Sequence, residues 1–354
     1  MRMGAIAREP APSADLPQPY LLFLGDVSES AFAKTAFGLR DWAPERCIGE
    51  YACGTGALSV GLPFLTPAQA RAKGAHALVI GVVNAGGVIQ ESWIDPLLDA
   101  LTAGLDVVSG MHARLADSPE LREAAARHGR RLIDVRRPPP NIPTATGEKR
   151  TGMRLLTVGT DCALGKKYTA LALTRAFRAR GIVADFRATG QTGILIAGGG
   201  IPMDAVVSDF EAGAAEMLTP DAAPDHWDVI EGQGSLSHPA FAGVSLGLLH
   251  GSQPDVFVVC HEPSRRRMLG FPEYPLPSVE ETIELTLLLG RRTNPAIRVG
   301  GIALNTSSLA AADAERLLDE ESARVGLPAA DPMRGGERLD RLVDACLHEQ
   351  RRAP

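Results

Sequence analysis

The sequence predicts a two-domain α/β protein in which each domain is built on a parallel sheet. The chain has 354 residues, which is more than one ordinary hydrophobic core accommodates. Short apolar runs that end in Gly, Asn or Asp alternate with helix-forming segments, the pattern of strands joined by crossover helices. A proline-rich stretch interrupts this alternation, and the same pattern then starts again. We therefore place the domain boundary at the proline-rich stretch.

The first half of the chain contains four predicted strands and one well-marked helix. The helix covers residues 118–128, with Ser118 as its N-cap and Pro119 at its first position. The strands are Tyr20–Leu24, Ala77–Val83, Leu105–Gly110 and Arg131–Val135. Strands and helices in alternation predict a Rossmann-like domain over residues 20–136. Residues 1–19 ahead of it are expected to be a disordered tail without a secretory signal.

The second half repeats the pattern after a linker. Three consecutive prolines begin at Pro138 and continue neither a helix nor a central strand, so residues 137–150 are the predicted linker. Residues 151–354 form the second predicted domain. Its strands are Arg154–Val158, Ile182–Phe186, Trp227–Ile230, Val256–Cys260 and Arg298–Leu304, and its helices are Lys167–Arg180, Leu309–Val325 and Gly336–His348.

Composition excludes several classes of function. The net charge of −6 disfavours proteins that coat nucleic acid or an anionic membrane. No apolar run approaches the roughly 20 residues that span a bilayer. The five cysteines are scattered and form no CxxC pair, which predicts a reduced, cytoplasmic protein without a structural zinc site. No GxGxxG follows the first strand, so a dinucleotide-dependent dehydrogenase is disfavoured. We expect a small-molecule enzyme that forms a homo-oligomer.

The most specific motif is a phosphate loop between a strand and a helix. Backbone N–H groups, the positive end of the helix and a lysine together bind a pyrophosphate-like anion in such a loop. The predicted cofactor-binding residues are Gly159, Thr160, Asp161, Cys162, Ala163, Leu164, Gly165, Lys166, Lys167, Tyr168 and Thr169. The alternative is a glycine-containing turn with surface lysines.

Two departures from the usual G-x-x-x-x-G-K-[ST] spacing bear on the chemistry. Thr160 stands where the first glycine is usual, and Lys167 stands where Ser or Thr would ligate Mg²⁺. The sequence therefore favours anion binding over Mg-dependent hydrolysis and predicts no metal ligands. Cys162 is either a nucleophile or, as we prefer, a small buried residue.

Other polar residues follow predicted strands of the second domain, and the carboxyl ends of such strands meet at one sheet edge. Glu231 either acts as a general base, holds a cation or is a turn carboxylate, and we assign it the role of base. Lys166 is the second predicted catalytic residue. Asn305 either reads an adenine edge or serves as a turn residue. His238 is either a general base or, as we prefer, structural. The predicted substrate-binding residues, unless they form only a flexible glycine loop, are Arg187, Thr189, Gln191 and Thr192.

The runs GTDCALGKKYTALAL, ATGQTG, EGQGSLSHP, AKTAFGL and NAGGVI together resemble one two-domain family. This family, long classed as a domain of unknown function, has a Rossmann-like first domain and a P-loop NTPase-like second domain, and it includes D-glutamate N-acetyltransferases. The resemblance extends from about Leu21 to the last helix. The second domain also resembles, distantly, dethiobiotin synthetase, which has Thr after the loop lysine where this chain has Lys167.

The family resemblance implies acetyl transfer from acetyl-CoA to the amino group of D-glutamate or a related D-amino acid. The loop would then hold the pyrophosphate of CoA without hydrolysing it. Two alternatives remain at this point. The first is an ATP- and Mg-dependent carboxylate ligase or kinase of the dethiobiotin synthetase kind, and the second is a non-catalytic sensor of nucleotide or CoA.

Overall fold

The computed structural model describes residues 16–348 except residues 55, 57 and 85. The chain forms two compact units. The N-terminal unit contains residues 16–137 and 191–202, and the C-terminal unit contains residues 138–190 and 203–348. Residues 191–202 lie inside the second predicted domain in sequence, yet they are part of the N-terminal unit. Most of the predicted tail, residues 1–19, lies outside the described residues.

The N-terminal unit has a five-stranded parallel sheet with the order β2-β1-β3-β4-β5. Its strands are β1 (Tyr20–Phe23), β2 (Cys47–Tyr51), β3 (Ala77–Ile80), β4 (Asp106–Ser109) and β5 (Leu132–Asp134). Its helices are α1 (Lys34–Trp42), α2 (Pro67–Ala72), α3 (Glu91–Thr102), α4 (Pro119–His128) and, from the later segment, α6 (Gln191–Ala197). The predicted cap of α4 is present, because Ser118 Oγ accepts a hydrogen bond from the backbone N–H of Leu121 at 3.3 Å.

The C-terminal unit has a six-stranded parallel sheet with the order β13-β12-β9-β6-β8-β7. Its strands are β6 (Met153–Gly159), β7 (Ala184–Arg187), β8 (Trp227–Ile230), β9 (Val256–His261), β12 (Arg298–Leu304) and β13 (Ala329–Ala330). A separate antiparallel hairpin pairs β10 (Arg267–Met268) with β11 (Phe271–Pro275). The helices are α5 (Lys166–Ala179), α7 (Glu211–Leu218), α8 (Ala242–Ser252), α9 (Val279–Gly290), α10 (Ala311–Val325) and α11 (Gly336–Leu347).

The two parallel sheets confirm the predicted α/β class. In the C-terminal unit, β6 lies between β9 and β8, and β7 lies beyond β8. Gly159 at the end of β6 is in register with Cys260 of β9, and Ile230 of β8 is in register with Arg187 of β7. The loops that follow these four strands therefore leave the sheet at one edge. In open α/β sheets, ligands bind at this edge, beyond the carboxyl ends of the strands.

A hydrophobic core fixes α5 against this sheet. Phe177 of α5 packs edge-on against Trp227 of β8, with ring centroids 5.2 Å apart. Leu164, which precedes α5, is also buried in this core. The loop between β6 and α5 is thus held at its base by buried apolar contact.

The proline-rich segment has neither helix nor strand, as predicted, and its second half is bonded to the C-terminal unit. Arg150 is buried and donates hydrogen bonds to the carbonyl oxygens of Thr219 at 2.7 Å and Gly251 at 2.6 Å. The buried carboxylate of Glu216 accepts hydrogen bonds from the backbone N–H groups of Thr146 and Gly147. Separately, none of the helices in the described part of the chain is both long and apolar enough to cross a membrane.

Candidate active site

The loop from Thr160 to Gly165 connects β6 to α5 and contains two residues with a left-handed backbone conformation. Ala163 has φ of +55° and Gly165 has φ of +104°, both in the region that L side chains rarely adopt. Gly165 is the N-cap of α5, and no heavy atom lies within 4 Å of where its Cβ would be. The first backbone N–H groups of a helix lack intrahelical acceptors, so the loop leads into a group of donors suited to an anion.

Lys166 is the first residue of α5 and is only 6% exposed. Its Nζ donates a 2.7 Å hydrogen bond to the carbonyl oxygen of Asp161. Burial holds the pKa of the Lys166 ammonium below its usual range. The side chain passes two glycines, since a Cβ on Gly159 would lie 3.3 Å from Nζ and one on Gly232 would lie 3.1 Å from Cδ. The lysine side chain is therefore held inside the loop by the Asp161 carbonyl oxygen and by close packing against these two glycines.

The residues after Lys166 supply charge and no Mg²⁺-binding hydroxyl at the usual position. Lys167 Nζ lies 4.4 Å from the centroid of the Tyr168 ring, within cation–π distance. The hydroxyl of Thr169 is buried and accepts a 3.5 Å hydrogen bond from the thiol of Cys260 on β9. The hydroxyl that follows the loop is therefore bonded to the sheet.

Asp161 joins the loop to the segment after β9. Its carboxylate accepts hydrogen bonds from Arg265 Nη1 at 2.9 Å and from the backbone N–H of Leu269 at 2.8 Å. Its other oxygen accepts a 2.6 Å bond from the N–H of Cys162. Burial raises the pKa of the Cys162 thiol, which disfavours a nucleophile, but Cys162 is half-buried and not fully buried as we expected.

Thr160 also bonds to this side of the loop, because its hydroxyl lies 2.9 Å from Nδ1 of His261. Arg265 was missed by sequence reasoning. The available signal was the run Arg265–Arg267, which begins four residues after the end of a buried strand, at the sheet edge that carries the loop.

Glu231 follows β8 at the same edge and is only 5% exposed. Its Oε2 accepts hydrogen bonds from the backbone N–H groups of Thr189 at 3.0 Å and Gly190 at 3.1 Å. Burial raises the pKa of the Glu231 carboxyl, while Lys167, the two backbone donors and Lys166 oppose this to a smaller extent. Glu231 is thus a buried carboxylate close enough to the loop lysines to interact with their charges.

Thr189 and Gln233 extend the environment of Glu231. The Thr189 hydroxyl donates a 2.6 Å hydrogen bond to the Glu231 carbonyl oxygen and accepts a 2.9 Å bond from Gln233 Nε2. Next to them, Gly232 admits no side chain, because its Cβ would lie 1.6 Å from the carbonyl oxygen of Thr157. The structure therefore brings Thr189, Glu231 and Lys166 to one sheet edge, as the sequence predicted.

Arg187 has a different environment from the predicted one. Its Nε donates a 2.6 Å hydrogen bond to Oδ1 of Asp228, a carboxylate whose side chain is 2% exposed. Asp185 lies 3.7 Å from the same guanidinium. The Arg187 guanidinium, which we predicted would bind a substrate carboxylate, is therefore paired with the carboxylate of Asp228. Sequence alone did not show this because Asp228 is on the neighbouring strand.

The remaining predicted residues make other contacts in the structure. Gln191 and Thr192 belong to the N-terminal unit, where the Thr192 hydroxyl lies 2.8 Å from that of Thr35, and their role with substrate stays a prediction. Asn305 Oδ1 accepts a 3.2 Å hydrogen bond from the backbone N–H of Ser307. This is the geometry of a turn residue, the second of the two interpretations given above.

Comparison with known proteins agrees with this architecture. Residues 45–138 match the Rossmann-like N-terminal domain, and residues 143–343 the P-loop C-terminal domain, of the family described as domain of unknown function DUF1611. A crystal structure of a DUF1611 family protein from Anabaena variabilis superposes with a TM-score of 0.83 at 32% identity. The match covers 93% of this chain and 99% of that one.

Two curated relatives carry the name D-glutamate N-acetyltransferase. The protein from Tritonibacter scottomollicae is 50% identical over 92% of this chain and 98% of its own length. The protein from a Pseudoalteromonas species is 47% identical over 92% of this chain and 97% of its own length. From the two domain matches and these relatives, we conclude that the chain belongs to the DUF1611 family.

Proposed function

We propose that this protein is a D-glutamate N-acetyltransferase that takes its acetyl group from acetyl-CoA. The observation that carries this proposal is the shared name of two relatives that are 50% and 47% identical over 92% of the chain. In the reaction the substrate amine attacks the thioester carbonyl, so a C–N bond forms and the C–S bond breaks. The ammonium loses a proton before attack, and the CoA thiolate takes up a proton as it leaves.

The phosphate loop supports binding of the acetyl donor. CoA carries a pyrophosphate, and the loop offers the start of α5 together with the ammonium of Lys166. Lys167 stands where a P-loop enzyme that hydrolyses ATP has its Mg²⁺-binding hydroxyl, and the hydroxyl of Thr169 is bonded to Cys260. The loop is therefore suited to holding phosphates by charge without Mg²⁺.

The environment of Glu231 supports its role as the base that prepares the amine. A general base works best when its pKa lies close to the working pH, and burial moves the Glu231 pKa in that direction. The bonds from Thr189 and Gly190 fix the orientation of the carboxylate. We assign Glu231 to accept the ammonium proton, directly or through a water. The protein's free cysteines favour a reducing compartment, and we propose the cytoplasm.

The test is acetyl transfer by the purified full-length protein. Acetyl-CoA and D-glutamate should yield free thiol and N-acetylglutamate in equal amounts, with L-glutamate as the stereochemical control and mass spectrometry identifying the product. Excess EDTA should leave the rate unchanged. Activity that needs Mg²⁺ and ATP and releases ADP would support the ligase or kinase alternative instead.

A further inference from the structure

His238 is a buried histidine beside the phosphate loop, and the acetyl-transfer roles assigned to Lys166 and Glu231 do not involve it. It follows β8 and is 1% exposed. Its ring stacks on Phe241 with centroids 4.7 Å apart and meets Phe271 edge-on at 5.1 Å. These two rings fix the plane of the imidazole.

The hydrogen bonding of the ring determines its tautomer. The backbone N–H of Ala240 donates a 3.1 Å hydrogen bond to Nδ1, so Nδ1 carries a lone pair and the proton of the neutral ring is on Nε2. Nε2 is buried and has no hydrogen-bond partner in the described part of the chain. The carboxylate oxygen Oδ1 of Asp161 lies 3.7 Å away, which is too long for a hydrogen bond. A buried N–H donor without an acceptor is costly and calls for a partner.

A metal ion is not the missing partner. Asp161, Cys162 and His238 each offer a ligand atom, and these atoms lie within 4.8 Å of one another. A histidine that binds a metal through Nε2 keeps its proton on Nδ1 and donates it outward. Here Nδ1 is an acceptor and Nε2 carries the proton, so the donor set does not fit a cation. The same tautomer makes His238 unsuitable as a general base.

We propose that His238 contacts the acetyl donor, with its Nε2–H donating a hydrogen bond to an oxygen of acetyl-CoA bound at the phosphate loop. This inference rests on the proposed function. The donor is adjacent to Asp161 and Cys162, two residues of the loop itself. Its tautomer and ring plane are fixed beforehand, so no reorganisation is needed when an acceptor arrives. The ring of Phe271, which meets that of His238, belongs to the β10–β11 hairpin and is half-buried, and the next four residues of the hairpin are exposed.

Two oxygens of acetyl-CoA would satisfy this donor, and they have different consequences. A phosphate oxygen is present in CoA and acetyl-CoA alike, so losing the contact would weaken the affinity for both. The thioester carbonyl oxygen is present only in acetyl-CoA and gains negative charge during attack. Losing that contact would lower kcat and leave the affinity for CoA unchanged.

The experiment compares His238→Phe with His238→Gln in the full-length protein. Phenylalanine retains the stacking on Phe241 and lacks the donor, whereas glutamine presents an N–H close to the position of Nε2. Calorimetric titration with CoA and with acetyl-CoA gives the affinities, and thiol release gives kcat. His250→Phe is the matched control, because the His250 ring is half-buried and bonds to the Leu289 carbonyl instead.

We expect His238→Phe to lose about 10- to 100-fold in affinity for both ligands, or about 100- to 1,000-fold in kcat. His238→Gln should stay within about fivefold of the wild type, as expected when a donor is retained. If His238→Phe does not fold, His238→Asn replaces it, since asparagine can accept the Ala240 bond but does not reach the position of Nε2.

Three results would overturn the proposal. The first is a folded His238→Phe protein with unchanged affinities and kcat, which would leave only a structural water at Nε2. The second is an equal loss in the Phe and Gln variants together with lower melting temperatures. The third is wild-type protein that binds stoichiometric zinc and loses it in His238→Phe. If the wild type binds CoA and acetylates no amino acid, the proposed function fails, while the titrations still decide on His238.

Discussion

The backbone N–H of Thr189 donates a 3.0 Å hydrogen bond to Oε2 of Glu231. This bond crosses from the end of β7 to the end of β8, which pair in parallel. It stabilises the ionised carboxylate and so opposes burial, which raises the pKa of Glu231. The net effect raises the pKa of Glu231 above that of an ordinary glutamate, which is the direction that suits a general base near neutral pH.

Glu231→Gln should lower kcat by about 100- to 10,000-fold, the usual effect of losing a general base. Its melting temperature should stay equal or rise, because the glutamine oxygen can accept the bonds from Thr189 and Gly190 without a buried charge. Thiol release and thermal unfolding measure the two effects.

Glu216→Gln is the matched control for this substitution, since Glu216 is also buried and also accepts backbone N–H bonds. It should keep kcat and lose stability, because it lies 3.6 Å from the buried Arg150. A Glu231→Gln protein that melts earlier and retains kcat would remove Glu231 from the mechanism.

On acidification, the activity should begin to fall at a higher pH than it would if the base were a glutamate with an ordinary pKa. The base acts as the carboxylate, and its raised pKa means that more of it is protonated at a given acidic pH. The acid limb of kcat/KM reports this pKa, and Glu231→Gln should abolish the limb.

The same shift has a consequence for stability. Because the pKa of Glu231 is raised in the folded state, its proton stabilises the fold. This gain in the free energy of unfolding is fully present below the unfolded-state pKa and is lost as the pH rises through the folded-state pKa. Glu231→Gln should therefore gain in melting temperature relative to the wild type as the pH rises across that window. A difference independent of pH would contradict the shift.

Lys166→Met should weaken the binding of CoA by about 10- to 100-fold, as expected when a charge-assisted hydrogen bond is lost. Methionine retains much of the apolar stem that lies against Gly232. Calorimetric titration measures the loss, with Lys73→Met as the control because Lys73 is an exposed lysine of the N-terminal unit. Unchanged affinity in folded Lys166→Met would show that the loop is not the phosphate site.

Gly232→Ala should abolish folding or activity, because the new Cβ would lie 1.6 Å from the Thr157 carbonyl oxygen. That oxygen belongs to the backbone of β6 and cannot move aside as a side chain would. Gly243→Ala in α8 is the control, since no heavy atom lies within 4 Å of its Cβ position and alanine favours a helix by about 1 kcal/mol. Equal melting temperatures for the two variants would show that the β8 turn is not rigid.

The phosphate loop and Glu231 were predictable because their signals are local. A strand, a glycine-containing loop with Lys166 and a helix follow one another without interruption, and Glu231 directly follows an apolar run. Parallel strands place such loops at one edge whatever the strand order. The same local reasoning located β8 and β12 at their observed bounds.

Pairings between distant segments were not predictable. Strand β2, with the sequence CIGEY, contains a glycine and a buried charge and gives no strand signal of its own. The anchoring of Asp161 by Arg265 depends on β9 lying beside β6. The turn at Asn305 depends on a bond to Ser307 that many loop sequences would allow equally.

Arg187→Ala tests the largest difference between the predicted and the observed site. Because Arg187 pairs with the buried Asp228, its removal should leave an uncompensated carboxylate and lower the free energy of unfolding by about 2–4 kcal/mol, somewhat reduced by the partial exposure of the arginine. The KM for the amino acid should stay within about twofold, as for a residue that makes no substrate contact. Urea unfolding and steady-state kinetics give both quantities. Combining Arg187→Ala with Asp228→Ala should restore part of the loss, since the double variant has no buried unpaired charge. A tenfold rise in KM with unchanged stability would instead establish Arg187 as the residue that binds the substrate carboxylate.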